Sequence, residues 1–245
     1  MSKTDVRYAV AALTDCGSVR PSNEDSFGIS VEHGVYIVCD GMGGAAAGEI
    51  ASSLAVGEVL RLLDARDGTT PLEVAVEEAI RSANEVIYSR AEVDFQLNGM
   101  GTTLAGLVTE GQRVLAFNVG DSRCYRLRNR KLEQISQDHS LVEEQVRMGR
   151  MTHEEALLSP LRNVITRALG TQPSVEPDLF ELQAETGDIF LLCSDGLTGE
   201  VPDAQLEALL AADLPLDEIC VTLVDAANLA GGHDNITCLL VRAEN

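Results

Sequence analysis

The chain has 245 residues, 45% of them apolar, which is enough for one large domain with a hydrophobic core. Its 18 Lys and Arg residues stand against 39 Asp and Glu residues, a formal net charge of -21. Such an acidic surface repels the phosphate backbone of nucleic acids, so the composition argues against DNA or RNA as a partner.

No apolar run reaches the roughly 18 residues that a membrane-spanning helix needs, and the N-terminal MSKTDVRYAV lacks the apolar core of a signal peptide. The cysteines are scattered without a CxxC pair and are predicted to be buried free thiols, not disulfides or zinc ligands. We therefore expect a cytoplasmic protein with no membrane partner, and a monomer, since nothing indicates an oligomer. The six cysteines are Cys16, Cys39, Cys124, Cys193, Cys220 and Cys238.

Short strand patterns open the chain at YAVAALTD and FGISVEHGVYIVCD, where EHG is typical of a hairpin turn. Two long helical patterns follow, AAAGEIASSLAVGEVLRLLDA and TPLEVAVEEAIRSANEVIYSRAEV. In the second, Thr70 is a candidate N-cap and Pro71 the first helical residue. The predicted apolar face of that helix consists of Val74, Ala75, Ile80, Val86 and Ile87.

Strand patterns return at TTLAGLVTE, GQRVLAFNVG, SRCYRLRN and KLEQIS. Residues 139–170 differ, because they are polar, partly helical and rich in Arg, Met and His, as in an insertion that carries function. Strands resume at PDLFELQ and DIFLLCSD, helices are predicted at 203–212 and 216–229, and NITCLLVRA is the last strand. This order predicts an α+β layered protein with largely antiparallel sheets, as a single domain over residues 1–245.

Three apolar strands deliver an aspartate at or near their ends: Asp40 in VYIVCD, Asp121 in LAFNVGD and Asp195 in IFLLCSD. Asp234, in GGHDNITCLL, comes just before the final strand. Carboxylates gathered where strand ends meet would raise one another's pKa values unless cations neutralise them. Mg²⁺ and Mn²⁺ prefer oxygen ligands and are the natural neutralisers. Spacing alone allows four unrelated turns equally well.

The segment RPSNEDSFG adds Glu24 and Asp25 close to Arg20, in a turn that leads into a strand. An Arg beside a metal-binding carboxylate cluster suits a substrate that bears a phosphate, because guanidinium pairs bidentately with phosphate oxygens. A surface salt bridge is the alternative role for Arg20.

A second interpretation concerns GMGGAA at residues 41–46, since G-x-G-x-x-A between a strand and a helix is typical of dinucleotide-binding loops. Two features oppose it. Asp40 would place a carboxylate near the pyrophosphate, and the helix that ends near Asp64 is followed by another helix where the motif requires a strand. The sequence therefore disfavours a nucleotide site.

Six motifs are spread over the chain: RPSNED at 20–25, VCDGMGG at 38–44, GMGTTL at 99–104, NVGDSR at 118–123, LCSDGL at 192–197 and HDNIT at 233–237. In kind and in order they resemble those of the metal-dependent protein phosphatases of the 2C type, in the form of the compact bacterial members. The resemblance covers essentially the whole chain. It implies a central β-sandwich of two mainly antiparallel sheets, flanked by helices on both sides, with a binuclear metal centre at one end.

The resemblance also implies ligands for two cations, Mn²⁺ or Mg²⁺. Asp40 would bridge both, and the carbonyl of Gly41 would bind one of them. Glu24 would contact that cation mainly through water, and Asp25 would order waters beside it.

The other cation would be held by Asp195 and Asp234. Asp121, together with Asp195, matches a third and weaker metal site of bacterial relatives. Arg20 matches the Arg that binds the substrate phosphate. Residues 139–170 occupy the place of the flap that borders the active site.

The activity so implied is hydrolysis of phosphoserine and phosphothreonine in proteins by direct attack of a metal-bridging hydroxide, with Arg20 and the metals holding the phosphate oxygens. Phosphorylated proteins are then the expected partners, together with a bacterial Ser/Thr kinase that the phosphatase would oppose. A catalytically weak regulatory adaptor on the same fold is the alternative. The intact set of acidic residues argues against it.

Met42 departs from many eukaryotic relatives, which have at this position a His proposed as general acid. A Met cannot donate a proton to the leaving oxygen. The candidate donors are a metal-bound water and His153 in the flap segment, for which a solvated structural role is the alternative.

Overall fold

Two antiparallel sheets pack face to face in the computed structural model, which describes residues 6–43 and 47–245 except for the side chain of Leu157. The strands are β1 (Arg7–Asp15), β2 (Asp25–Ser30), β3 (Val35–Met42), β4 (Gly101–Thr102), β5 (Leu104–Glu110), β6 (Arg113–Val119), β7 (Arg123–Arg128), β8 (Lys131–Gln134), β9 (Asp178–Gln183), β10 (Ile189–Cys193) and β11 (Ile236–Glu244). The helices are α1 (Ala47–Asp64), α2 (Leu72–Val93), α3 (Leu141–Arg147), α4 (His153–Leu158), α5 (Asp195–Thr198), α6 (Asp203–Leu210) and α7 (Leu216–Ala230), with a 3₁₀ turn at Phe95–Leu97.

One sheet has the strand order β1-β11-β10-β7-β8, and the other has the order β2-β3-β5-β6-β9 with β4 paired to β3. Helices cover both outer faces: α1 and α2 pack on the second sheet, and α5, α6 and α7 pack on the first. The predicted sandwich of antiparallel sheets between two helical layers is therefore confirmed. Among the helices of the described ranges, none combines the length and apolarity of a membrane-spanning segment.

Strand β3 is apolar on both faces because it is covered on both. Tyr36 and Val38 pack between the sheets, whereas Ile37 and Cys39 pack against the α1–α2 layer. Side chains alternate along a strand, so Asp40 continues the row that faces the other sheet. The uninterrupted run VYIVC thus places the following carboxylate at the end of the interface between the sheets.

Two details of α2 differ from the sequence-based prediction. The N-cap is Pro71, without a side-chain cap, so Thr70 does not fill that role. Val74 and Val86 are 40% and 37% exposed, whereas Ala83 and its neighbours on the other face are fully buried. The small alanines let α2 approach α1 closely, and this packing selects the face of α2 that is buried. Hydropathy alone does not show it.

The segment 139–170 contains the two short helices α3 and α4, as its partly helical pattern predicts. An isolated β-bridge between Ser140 and Ile165 joins the two ends of the segment at its base. The four-residue helix α5, directly after β10, was not predicted.

Candidate active site

The acidic residues singled out in the sequence converge on one end of the sandwich. Asp40 lies near the end of β3 and Asp25 begins β2, directly opposite it in the antiparallel register. Asp195 follows β10 and Asp234 precedes β11, and these two strands are antiparallel neighbours in the facing sheet. Asp121 follows β6. Strand ends from both sheets thus bring these carboxylates together.

Asp40 is at the electrostatic centre of this group. Burial, followed by the charges of Asp25, Asp195 and Asp121, raises the pKa of Asp40 well above its ordinary value. A hydrogen bond between the carboxyl groups of Asp40 and Asp195 would raise the pKa of Asp40 further and lower that of Asp195. Burial and the charge of Asp234 also raise the pKa of Asp195. In the protein alone, these carboxylates therefore favour protons or another positive charge.

Hydroxyl groups fix the backbone of Asp40. Its N–H donates to Thr103 Oγ1 at 2.9 Å, and its carbonyl accepts from Thr102 Oγ1 at 2.8 Å and from the Thr103 N–H at 2.9 Å. The Thr103 hydroxyl also lies 2.7 Å from that of Ser122, the residue after Asp121. The two threonines of GMGTTL therefore hold the Asp40 strand and tie it to the Asp121 loop, a role the sequence did not assign.

Asp25 is 7% exposed, and within the described ranges only one of its two carboxylate oxygens is hydrogen-bonded. Its Oδ2 accepts hydrogen bonds from the hydroxyls of Ser194 at 2.7 Å and Thr237 at 2.6 Å, whereas its Oδ1 is buried without a hydrogen-bond partner among the described residues. Burial, and then the charges of Asp195 and Asp234, raise the pKa of Asp25 to about 7 despite these hydroxyls. Ser194 and Thr237 lie inside two of the quoted motifs, but sequence alone gave them no function.

Arg20 meets the cluster through Asp234, with Nη2 donating to Oδ2 at 2.6 Å. The Arg20 side chain is 51% exposed. The salt bridge considered for Arg20 is therefore present, and its partner belongs to the acidic cluster. Glu24 is influenced by the same two charges. Burial raises the pKa of Glu24, the charge of Arg20 opposes this effect and the charge of Asp234 adds to it.

Asp121 belongs to the same cluster, since its charge contributes to the raised pKa of Asp40. Burial, and then the charges of Asp195 and Asp138, raise the pKa of Asp121 to about 7. The preceding Gly120 has φ +104°, and a Cβ there would collide with Thr103. Glycine thus permits the Asp121 loop to lie against the segment that holds Asp40.

Gly41 separates Asp40 from the start of α1. A Cβ at Gly41 would collide with the carbonyls of Gly48 and Glu24, and one at Gly48 would collide with the Glu24 carboxylate. The two glycines therefore let β3, α1 and Glu24 come together at the site. Of the GMGGAA segment, residues 44–46 lie outside the described residues.

His153 is not brought to these carboxylates. It is the exposed first residue of α4 and makes no hydrogen bond or ion pair to the acidic cluster within the described ranges. Met42 pairs with Gly101 of β4 and supplies no proton donor.

The donor chemistry of the site fits hard divalent cations. Among residues 6–43 and 47–245, no three His, Cys, Asp or Glu side chains are grouped closely enough, as they stand, to hold a metal ion. The fit rests on two buried oxygens, Asp25 Oδ1 and Asp195 Oδ1, which have no hydrogen-bond partner in the described part of the chain, and on carboxylates whose mutual repulsion calls for a positive charge. Oxygen-only donors of this kind suit Mg²⁺ and Mn²⁺ better than softer metals.

The chain is similar to known proteins over most of its length. A family profile described as Protein phosphatase 2C matches residues 18–229. The serine/threonine phosphatase stp of Listeria innocua is 43% identical over 238 residues, which cover 93% of this chain and 93% of that protein.

Solved structures show the same similarity. The Mycobacterium tuberculosis serine/threonine phosphatase PstP/Ppp matches with a TM-score of 0.91 and 38% identity, over 98% of this chain and 100% of that one. The catalytic domain of PstP in complex with two manganese ions matches with a TM-score of 0.89 and 37% identity, over 98% and 100%. From these similarities, the fold and the ordered motifs, it follows that the chain belongs to the protein phosphatase 2C family.

Proposed function

We propose that this chain is a Mn²⁺- or Mg²⁺-dependent phosphatase that hydrolyses phosphoserine and phosphothreonine in proteins. The observation that carries the proposal is the cluster of Asp25, Asp40 and Asp195 at one end of the sandwich, with the exposed guanidinium of Arg20 beside it. Relatives that match most of the chain are named serine/threonine phosphatases, which supports the same activity.

In this proposal the acidic residues hold the cations. Asp40 would serve both cations, the Gly41 carbonyl and Glu24 would help to hold one of them, and Asp195 and Asp234 would hold the other. When bound, divalent cations would lower the pKa of water toward neutrality, supplying hydroxide, and would offset charge on the phosphoryl oxygens.

Two further assignments concern neighbouring residues. Asp25, whose Oδ1 has no hydrogen-bond partner within the described ranges, would order water beside the cations. Asp121, with Asp195, would offer a third and weaker site.

Arg20 provides the contact to substrate. Its side chain is half exposed and uses Nη2 on Asp234, so the other guanidinium N–H groups are available for phosphate oxygens. The ion pair with Asp234 aims the guanidinium at the edge of the acidic cluster. A phosphate bound there would be oriented between Arg20 and the residues around Asp40.

A covalent route through cysteine has little support. Burial raises the pKa values of Cys39, Cys124 and Cys193 above that of an ordinary thiol, so their reactive thiolate forms are scarce near neutral pH. Direct attack by water activated at the acidic cluster needs no such nucleophile.

The biological setting is proposed more broadly. Phosphorylated proteins would be the substrates, and a Ser/Thr kinase of the same cell would be the opposing enzyme. All six cysteines are free, which supports the reducing environment of the cytoplasm. We also propose that residues 1–245 act as a single, monomeric phosphatase domain with residues 139–170 as its flap.

The test is hydrolysis of a phosphothreonine peptide with Mn²⁺, with and without chelator, by the wild type and Asp40→Asn. We expect chelation to abolish turnover and Asp40→Asn to reduce it at least about a hundredfold, since even loss of groups that only support a metal ligand costs about 10–100-fold. Asp188→Asn is the matched control, because Asp188 is a buried aspartate that precedes β10 at the opposite end from Asp195 and pairs with Arg128. Turnover that persists in chelator would exclude a metal-dependent reaction, and an inactive protein that binds Mn²⁺ would favour the adaptor.

A further inference from the structure

Asn235 connects the loop between β1 and β2 to the other end of the chain. Its side chain is 5% exposed, and its Oδ1 accepts a hydrogen bond from the Glu24 N–H at 2.8 Å. Its Nδ2 donates to the carbonyls of Cys16 and Ser22, each at 2.9 Å. Both donors of the amide and its acceptor are thus used on one loop, the loop that carries Arg20.

The backbone of Asn235 fixes the partner of Arg20. The Asn235 N–H donates to Asp234 Oδ1 at 2.8 Å, while Arg20 Nη2 donates to Asp234 Oδ2 at 2.6 Å. A single residue therefore holds the Asp234 carboxylate through its main chain and the Arg20 loop through its side chain.

The two ends of the Arg20 loop depend on Asn235 to different extents. The Glu24 carbonyl also accepts from the Ser52 hydroxyl at 2.6 Å and from the Gly41 N–H at 3.2 Å. Glu24 thus stays anchored without Asn235. In the segment 16–22, the Ser18 N–H donates to the Gly232 carbonyl at 2.8 Å, but the carbonyls on the two sides of Arg20, those of Cys16 and Ser22, are held by the Asn235 amide. Loss of the amide therefore falls mainly on the part of the loop that carries Arg20.

We infer that Asn235 is a positioning residue, which sets the Arg20 guanidinium against Asp234 and so determines how strongly the site binds a phosphate monoester. This inference rests on the proposed function. Asn235 does not touch the substrate in this scheme. It acts through the loop, and its removal should weaken phosphate binding more than it slows the chemical step.

Asn235→Ala should therefore raise KM for a phosphopeptide about tenfold and change kcat by less than about threefold, the pattern of lost ground-state binding. The inhibition constant of inorganic phosphate should rise in parallel. In an Arg20→Ala background, the same substitution should add little to KM, because the group it positions is already gone.

Asn84→Ala is the matched control. Asn84 is buried like Asn235, and its amide accepts from the Gly170 N–H at 2.8 Å and donates to the Gln172 carbonyl at 3.0 Å, away from the Arg20 loop. We expect both variants to lose stability, but only Asn235→Ala to change KM.

Hydrogen–deuterium exchange gives a readout that needs no turnover. In chelator, Asn235→Ala should speed exchange of the 16–24 segment, and of the Glu24 N–H in particular, by about tenfold, whereas Asn84→Ala should leave it unchanged. If the wild type has no phosphatase activity, the proposed function fails, and exchange still decides whether Asn235 orders the loop.

Equal KM values and equal loop exchange in the two alanine variants would overturn the inference and leave Asn235 a structural residue only. If Asn235→Ala does not fold, Asn235→Asp replaces it. That variant keeps the volume and the acceptor for Glu24 but loses both donors to Cys16 and Ser22. A wild-type KM in Asn235→Asp would likewise overturn the inference.

Discussion

Asp25 and Asp40 occupy directly opposite positions on the antiparallel strands β2 and β3. Like charges placed across a strand pair repel each other, and here burial strengthens the repulsion. The strand register therefore holds two carboxylates together at a cost in stability, which a bound cation would offset.

Asp25→Asn should stabilise the protein in chelator but lower its enzymatic activity. Asn keeps an oxygen for the hydroxyls of Ser194 and Thr237 but removes the charge. We expect the free energy of unfolding in chelator at pH 8 to rise by about 1 kcal/mol, measured by urea denaturation. Mn²⁺ affinity and turnover should fall. A variant that is less stable than the wild type in chelator would contradict the repulsion between Asp25 and Asp40.

The stabilising effect of Asp25→Asn should depend on pH. The pKa of Asp25 is raised to about 7 in the folded protein, from an ordinary 3.8, so the folded state binds the extra proton. In the wild type this contribution to stability is complete below about pH 4 and is lost as the pH rises through about 7. The advantage of Asp25→Asn in chelator should therefore be large at pH 8 and small at pH 5. An advantage that does not vary between these pH values would show that the pKa is not raised.

Thr103→Val should lower kcat about tenfold, because the Asp40 N–H and Ser122 lose their shared hydroxyl partner, whereas Thr103→Ser should retain most activity. Thr109→Val is the matched control, since Thr109 lies near the other end of β5, by Gly34. Steady-state kinetics with a phosphothreonine peptide measure the effect. Equal activities in Thr103→Val and Thr109→Val would show that the Thr103 hydroxyl does not position Asp40.

His153→Ala should leave turnover of both 4-nitrophenyl phosphate and a phosphopeptide within about threefold of wild type, because surface substitutions away from a site have small effects. The exposed position of His153 at the start of α4 is the reason for this expectation. A loss confined to the phosphopeptide, whose leaving group needs a proton, would instead identify His153 as the general acid.

Much of the fold and the main carboxylates could be predicted from local patterns. The run VYIVC and the Asp that follows it indicate a doubly covered strand with a charge at its end, and β3 has that form. The hydroxyls around the carboxylates could not be predicted in the same way. Ser194 and Asp25 are 169 residues apart, and they meet only because β10 ends and β2 begins at the same rim of the sandwich. The buried face of α2 was predicted wrongly at Val74 and Val86 for a related reason. The packing of α2 against α1 decides which of its residues are buried, and α1 lies elsewhere in the sequence.

Mn²⁺ titration of the chelator-treated protein, with peptide turnover followed at each step, tests the metal-dependent activity most directly. We expect turnover to appear only as Mn²⁺ binds, and Asp40→Asn to bind at least about a hundredfold more weakly while Asp188→Asn binds as the wild type does. Unchanged Mn²⁺ affinity in Asp40→Asn, or turnover that precedes Mn²⁺ binding, would contradict a metal-dependent phosphatase centred on Asp40.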